Sequence, residues 1–171
     1  MVTIIKDKVF LRKPVINIKD VSNGEVLDTM KNIRDAYDER PGCQLIAAKQ
    51  IGSEYDIARI KTGKDTSIFI TDVTIKKDGA FKTSSEGSYS LTGRYHVKRT
   101  PRVVATYTEL IPNEDYTGYK TRNVFEERIT DVRVARIFQH LVDFNHGKLL
   151  CDTGRMYALV DKAQKGHFVE W

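Results

Sequence analysis

Cysteine is scarce in this 171-residue chain, and long apolar runs are missing from it. There are only two cysteines, Cys43 and Cys151, which are too few for the disulfide framework of a small secreted protein. The first residues, MVTIIKDKVFLRKPV, lack the apolar core of roughly 7–15 residues that a secretory signal needs. We therefore expect a cytoplasmic protein with reduced thiols.

No apolar run approaches the ~18 residues of a transmembrane helix, so the sequence predicts no membrane span. Proline is also scarce, with four residues, whereas hydrophobic residues make up 40% and charged residues 30% of the chain. This composition is typical of a globular protein and excludes the disordered, collagen-like and low-complexity classes. The length predicts a single domain over residues 1–171, which can fold without a disulfide or a metal.

The charge balance is mildly basic, with 28 lysine and arginine residues against 23 aspartate and glutamate residues and a net charge of +5. These basic residues are scattered along the sequence and form no block. Nucleic-acid binding is therefore not indicated by the charge alone.

The spacing of apolar residues predicts an early and a late helix. From residue 24 to about residue 40, apolar residues recur at intervals of three and four, with Asn23 as the expected N-cap and Pro41-Gly42 as the stop. From about residue 129 to 145, apolar residues lie on more than one side, which indicates a buried helix that ends at Gly147.

Strands are predicted where β-branched and aromatic residues concentrate, at residues 55–60, 67–75 and 102–110. Residues 1–22 are expected to form an extended arm, because Pro14 excludes a helix there. Residues 84–101 are expected to form a polar loop that leads into a strand, and residues 111–122 a further loop. One early helix, a run of strands and one late buried helix indicate an α+β domain.

Three segments stand out in order along the chain: CQLIAAKQIG (residues 43–52), EGSYS (residues 86–90) and QHLVDFNHGKLL (residues 139–150). Together they resemble the signature segments of peptide deformylases, which read Gly-x-Gly-Leu-Ala-Ala-x-Gln, Glu-Gly-Cys-x-Ser and Gln-His-Glu-x-Asp-His. The LRKPV of residues 11–15 is also similar to that family's opening. The resemblance covers about residues 11–152 and implies a peptide-deformylase-like fold, with β-sheets packed around the buried late helix.

The resemblance also implies where a metal would be held. In that family a ferrous or zinc ion is bound by the cysteine of the second segment and both histidines of the third, and the adjacent glutamate is the general base. Here His140 keeps one ligand position, whereas Ser88 and Phe144 stand at the other two and Leu141 replaces the base. A hydroxyl is a poor donor for these metals, a phenyl ring is no donor, and leucine moves no proton. We therefore expect a vestigial metal site and no metal cofactor.

The family's substrate-binding residues are better conserved in this sequence than its metal ligands and general base. Gln50 and the backbone N–H of Tyr89 stand where the family stabilises the oxyanion. Glu86 and Gly87 are predicted to order the same loop. The implied partners are extended peptides, formyl-methionyl or others, held by strand addition.

The cleft itself is predicted to be narrower and drier than in active members. Cys43 and Leu45 replace both glycines of the first segment, and Leu141 and Phe144 are expected to fill the emptied metal cavity.

Two functions follow from these residues. The first is a non-catalytic member of the peptide deformylase family that keeps a peptide-binding groove. The alternative is a metal-dependent or rebuilt amide hydrolase that uses Ser88, His140 and Gln50, with Asp143 orienting the histidine. Leu141 favours the first, because chemistry on an amide needs a proton shuttle. A histidine on an apolar helix is also more often a core residue than a ligand.

Overall fold

Two antiparallel sheets pack around the late helix in the computed structural model, which describes residues 1–158. The strands are β1 (Leu45–Ala47), β2 (Ala58–Lys61), β3 (Ser67–Asp78), β4 (Lys82–Glu86), β5 (Arg94–Arg99), β6 (Arg102–Pro112), β7 (Tyr119–Ile129) and β8 (Arg155–Ala158). The larger sheet has the order β1-β2-β3-β6-β7 and the smaller one β4-β5-β8.

Four helices are present among the described residues: α1 (Lys8–Leu11), α2 (Asn23–Asp38), α3 (Val132–Asn145) and α4 (Leu150–Thr153). Short 3-10 turns cover Ile18–Asp20 and Ala48–Ile51. None of these helices is long and apolar enough to cross a membrane. The α+β prediction, with one early and one late buried helix, is confirmed.

The early helix begins at a serine N-cap. Ser22 accepts a hydrogen bond from the backbone N–H of Glu25, and its hydroxyl donates to the Glu25 carboxylate at 2.9 Å. Asn23 is therefore the first helical residue and not the N-cap that the sequence predicts. The apolar face of α2 packs on the larger sheet, in a second core cluster that includes Met30, Ile33 and Ile46.

The late helix begins three residues after the predicted start. Ile129 is the last residue of β7, and the Asp131 side chain caps α3 by accepting from the backbone N–H of Arg133. Gly147 follows the helix with a φ of 76°, and a Cβ there would lie 2.4 Å from the Arg12 carbonyl oxygen. The stop predicted at Gly147 is confirmed, since only glycine fits both constraints.

Some predicted loops are in fact strands. The predicted loop at residues 84–101 contains the end of β4 and all of β5, and the predicted loop at 111–122 contains the start of β7. The predicted extended arm contains α1 and a 3-10 turn. β7 lies at the edge of its sheet and is exposed over most of its length, so its polar sequence carries little strand signal.

Candidate functional site

The predicted site residues meet where the end of β1, the loop after β4 and the middle of α3 converge. Six of the eight line one small cavity: Gln50, Gly87, Ser88, Tyr89, His140 and Phe144. The cavity has a volume of about 20 Å³, which is room for about one water molecule. The other two lie outside it, because Glu86 is buried behind His140 and Leu141 is part of the hydrophobic core.

Gln50 is held by the protein itself. Its Oε1 accepts from the backbone N–H of Ala47 at 3.0 Å, and its Nε2 donates to the hydroxyl of Ser90 at 3.4 Å. The side chain is buried, and its amide ties the 3-10 turn at residues 48–51 to the loop after β4.

Ser88 is engaged in the turn that contains it. Its hydroxyl oxygen accepts from the backbone N–H of Ser90 at 3.2 Å, and its carbonyl accepts from the N–H of Leu91. Within residues 1–158 no hydrogen bond joins Ser88 to His140. The nucleophile–base pair that the alternative function requires is therefore not formed in this structure.

His140 is buried and neutral. Burial, and then the nearby charge of Arg99, lower the pKa of His140 to about 3. Its Nδ1 lies 3.8 Å from Oε1 of Glu86, which is too long for a hydrogen bond. Glu86 is thus the acid that faces His140, and Asp143, the orienting acid proposed from the sequence, is engaged elsewhere.

Glu86 belongs to a buried charge network that joins the smaller sheet to α3. Arg99 donates from Nε to Oε2 of Glu86 at 2.8 Å and from Nη1 to Oδ2 of Asp143 at 2.6 Å. Arg99 and Glu86 are almost completely buried, and burial raises the pKa of Glu86 while Arg99 opposes that rise. The network gives Glu86 and Asp143 a structural role behind the cavity.

Apolar side chains reduce the cavity from two sides. Phe144 lines it from α3, and Leu45 lines it from β1 at a position where the family has glycine. Leu141 does not line the cavity and is buried in the hydrophobic core. Cys43 is buried, and burial raises the pKa of its thiol to about 12, so this cysteine is not a reactive thiolate.

Lys49 is the residue that the sequence reasoning missed. Its side chain is 1% exposed, and its Nζ donates to the backbone carbonyls of Leu11, Lys13 and Phe144, each at 2.8 Å. Burial lowers the pKa of Lys49 to about 8, so the amine is charged at neutral pH. A lysine inside the apolar run LIAAKQI was the available signal.

The donor set does not fit ferrous iron or zinc. Among the described residues, no three histidine, cysteine, aspartate or glutamate side chains are grouped so that they could hold a metal ion. The three family ligand positions offer a neutral imidazole, a serine hydroxyl and a phenyl ring, where such metals prefer thiolate and imidazole. The Lys49 ammonium, 4.5 Å from the centroid of the Phe144 ring, adds a buried positive charge that would repel a cation.

One edge of β1 is open beside the cavity. Among residues 1–158, β1 pairs with β2 alone. The Gln44 carbonyl accepts from the N–H of Lys61, and the N–H of Ala48 donates to the Ile57 carbonyl. By strand alternation, the backbone N–H and C=O of Leu45 point away from β2, and this carbonyl accepts a weak hydrogen bond from the Cys43 thiol at 3.7 Å. This free edge is a place where an extended chain can pair.

Comparisons with known proteins agree with this architecture. The family model described as polypeptide deformylase matches residues 1–158. None of the curated proteins matches the chain.

Several solved structures are similar. A peptide deformylase from Synechococcus elongatus in complex with actinonin has a TM-score of 0.69 at 18% identity, over 95% of this chain and 80% of that one. For the Thermotoga maritima peptide deformylase the TM-score is 0.68 at 18% identity, over 90% and 95%. For the Legionella pneumophila enzyme it is 0.66 at 22% identity, over 96% and 88%. At these identities the structures show the fold, and the family model covers most of the sequence. The chain therefore belongs to the polypeptide deformylase family.

Proposed function

We propose that this protein is a non-catalytic member of the polypeptide deformylase family that binds extended peptides without hydrolysing a formyl group. The observation that carries the proposal is the centre of the site. There Phe144 and Ser88 line the cavity and Leu141 is buried in the core. By the resemblance, the first two correspond to metal-ligand positions and Leu141 to the general base. The two free cysteines support a cytoplasmic location for this function.

Peptide binding is supported by the free edge of β1. An extended segment that pairs with the outward N–H and C=O of Leu45 would gain main-chain hydrogen bonds without entering the cavity. The cavity has a volume of about 20 Å³, room for about one water molecule, so it offers no ready pocket for a methionine side chain. We therefore expect binding to depend on the peptide backbone and little on the formyl group.

The test is a calorimetric titration with a formyl-methionyl tripeptide and its acetylated counterpart, together with backbone amide NMR. Both peptides should bind within about threefold of each other and be recovered intact. The largest amide shifts should fall on residues 44–47. No binding by either peptide, shifts centred elsewhere, or release of formate would contradict the proposal.

Backbone methylation of the peptide supplies a matched control. Methyl groups on the nitrogens that face β1 remove strand pairing, whereas methyl groups on the alternate nitrogens leave it intact. One methylated peptide should therefore lose at least tenfold in affinity while the other binds as the parent does. Equal effects of the two patterns would exclude strand addition.

A further inference from the structure

A second, larger groove lies on the smaller sheet and shares no lining residue with the cavity at Ser88 and His140. It has a volume of about 500 Å³ and runs between β5, β8, the β3–β4 turn and the loop after α3. Its basic and aromatic lining residues are Lys77, Phe81, His96, Lys98, Lys148 and Arg155. The fold thus gathers basic residues that are scattered along the sequence.

Four of these basic side chains are not neutralised. Arg99 and Asp143 also border the groove, but they are bonded to each other and Arg99 is bonded to Glu86. Within residues 1–158, no ion pair involves Lys77, Lys98, Lys148 or Arg155. Among the residues that the structure describes, the groove therefore holds four positive charges without an ion-pair partner, in a chain whose net charge is +5.

Strand register places some of these charges close together. Arg155 of β8 is directly opposite His96 of β5, and Lys98 lies two residues further along the same face. Like charges on adjacent strands repel each other, and nearby carboxylates usually offset such repulsion. Here the β4 residue opposite Lys98 is Thr83, which carries no charge. An anion in the groove would relieve this repulsion.

An aromatic ring stands at the rim of the same groove. Phe81, in the β3–β4 turn, is 58% exposed, and the Lys77 amine lies 5.7 Å from its ring centroid. Proteins that bind single-stranded nucleic acid combine a positively charged groove, which follows the phosphate backbone, with exposed aromatic rings, on which bases stack. An acidic peptide would use the charges but gains no specific contact from the ring.

We propose that this groove binds single-stranded nucleic acid, with Lys77, Lys98, Lys148 and Arg155 contacting phosphates and Phe81 stacking on a base. The proposal does not rest on peptide binding at β1, because the two sites share no lining residue. Failure of one leaves the other unaffected.

The experiment is a fluorescence anisotropy titration of the full chain with labelled mixed-sequence 12-nucleotide RNA and DNA. Four phosphate contacts on a single strand predict a slope of log K against log salt of about −2.8. Affinity should therefore fall about 50-fold between 50 and 200 mM salt. The RNA and DNA arms identify which sugar is preferred.

Charge-reversal variants locate the binding site. The double variant Lys98→Glu/Arg155→Glu should lose at least tenfold in affinity, and its salt slope should be about −1.4. Both side chains are exposed, so the fold should be retained, as circular dichroism would check. The matched control Lys6→Glu/Lys120→Glu makes the same change in net charge at exposed positions outside the groove. It should keep the slope and most of the affinity.

The variant Phe81→Ala tests whether the groove prefers nucleic acid over other polyanions. Loss of a stacked base should weaken oligonucleotide binding about fivefold or more with the salt slope unchanged, while poly-glutamate binding stays the same. The assignment is overturned if no oligonucleotide binds at 50 mM salt. It is also overturned if the control variant loses as much as the groove variant. Equal binding of duplex DNA or poly-glutamate, with no effect of Phe81→Ala, would likewise exclude a single strand as the ligand.

Discussion

Lys49 and His140 are both buried ionisable residues, but the fold treats their charges in opposite ways. Three backbone carbonyls accept from the Lys49 amine, which keeps its proton at neutral pH although burial lowers its pKa to about 8. His140 has no such acceptors and stays neutral. We therefore expect Lys49 to affect stability when it is replaced, and His140 to affect it when the pH is lowered.

Replacing Lys49 should destabilise the protein strongly. Lys49→Met removes three charge-assisted hydrogen bonds and leaves the carbonyls of Leu11, Lys13 and Phe144 without their donor. We expect a loss of about 2–4 kcal/mol in the free energy of unfolding, measured by urea denaturation. The control Lys13→Met removes an exposed ion pair to Glu54 and a cation–π contact with Phe10, and should cost about 1 kcal/mol or less. Equal stability of the two variants would contradict the role given to Lys49.

His140 should make the fold sensitive to mild acid. The histidine pKa is about 3 in the folded protein and about 6.5 in the unfolded chain, so between these values only the unfolded chain takes up the proton. The free energy of unfolding should therefore fall as pH decreases below 6.5, by up to about 1.4 kcal/mol per pH unit. The raised pKa of Glu86 acts in the opposite direction and reduces this slope.

The comparison of variants isolates the contribution of His140. Denaturant titrations at pH 7 and pH 5 should show a smaller loss of stability for His140→Gln than for the unmodified protein. His146 is exposed after the end of α3, so His146→Gln should behave like the unmodified protein. If all three proteins lose the same amount, His140 is not the acid-sensitive group.

At the scale of elements, the Arg99 network is a buried link between α3 and the smaller sheet. Glu86→Gln removes one partner of a buried pair and leaves Arg99 with Asp143 alone. We expect a loss of about 3–5 kcal/mol in urea denaturation. Glu54→Gln, which breaks the exposed pair with Lys13, should cost less than about 1 kcal/mol. A similar small cost for both would show that the network contributes little.

The elements also show which structures the sequence could predict. α2 and α3 were recognised because their apolar residues repeat with the helical period, and only their first residues were misplaced, since Ser22 and Asp131 cap them. β4, KTSSE, and β7 were missed because their residues are mostly polar, and tertiary pairing fixes them as strands.

In the candidate site too, some features were predictable from the sequence and others depend on tertiary packing. The gathering of Gln50, Ser88, Tyr89 and Phe144 with His140 followed from the resemblance, because the segments that carry them are recognisable. The position of Leu141 in the core and the Lys49 bonds were not predictable, because they depend on how distant segments pack. The clustering of scattered basic residues in the groove on the smaller sheet was hidden for the same reason.

At the scale of the whole molecule, the fold is that of the polypeptide deformylase family, and the proposed loss of catalysis rests on Ser88, Leu141 and Phe144 together. Single reversions should therefore fail, because ligands and base act as a unit. The triple variant Ser88→Cys, Leu141→Glu, Phe144→His should bind about one equivalent of zinc, measured by elemental analysis. Each single variant should bind none. Zinc bound by Phe144→His alone would contradict this dependence.

The proposal that this protein does not hydrolyse formyl peptides is tested most directly by a turnover assay. The unmodified protein is supplied with a formyl-methionyl peptide and with ferrous, zinc or nickel ions in turn. We expect no formate above the protein-free background with any of the three metals. Formate release that depends on added metal and is lost in His140→Ala would contradict it, and would show that the residues around His140 still form a working deformylase site.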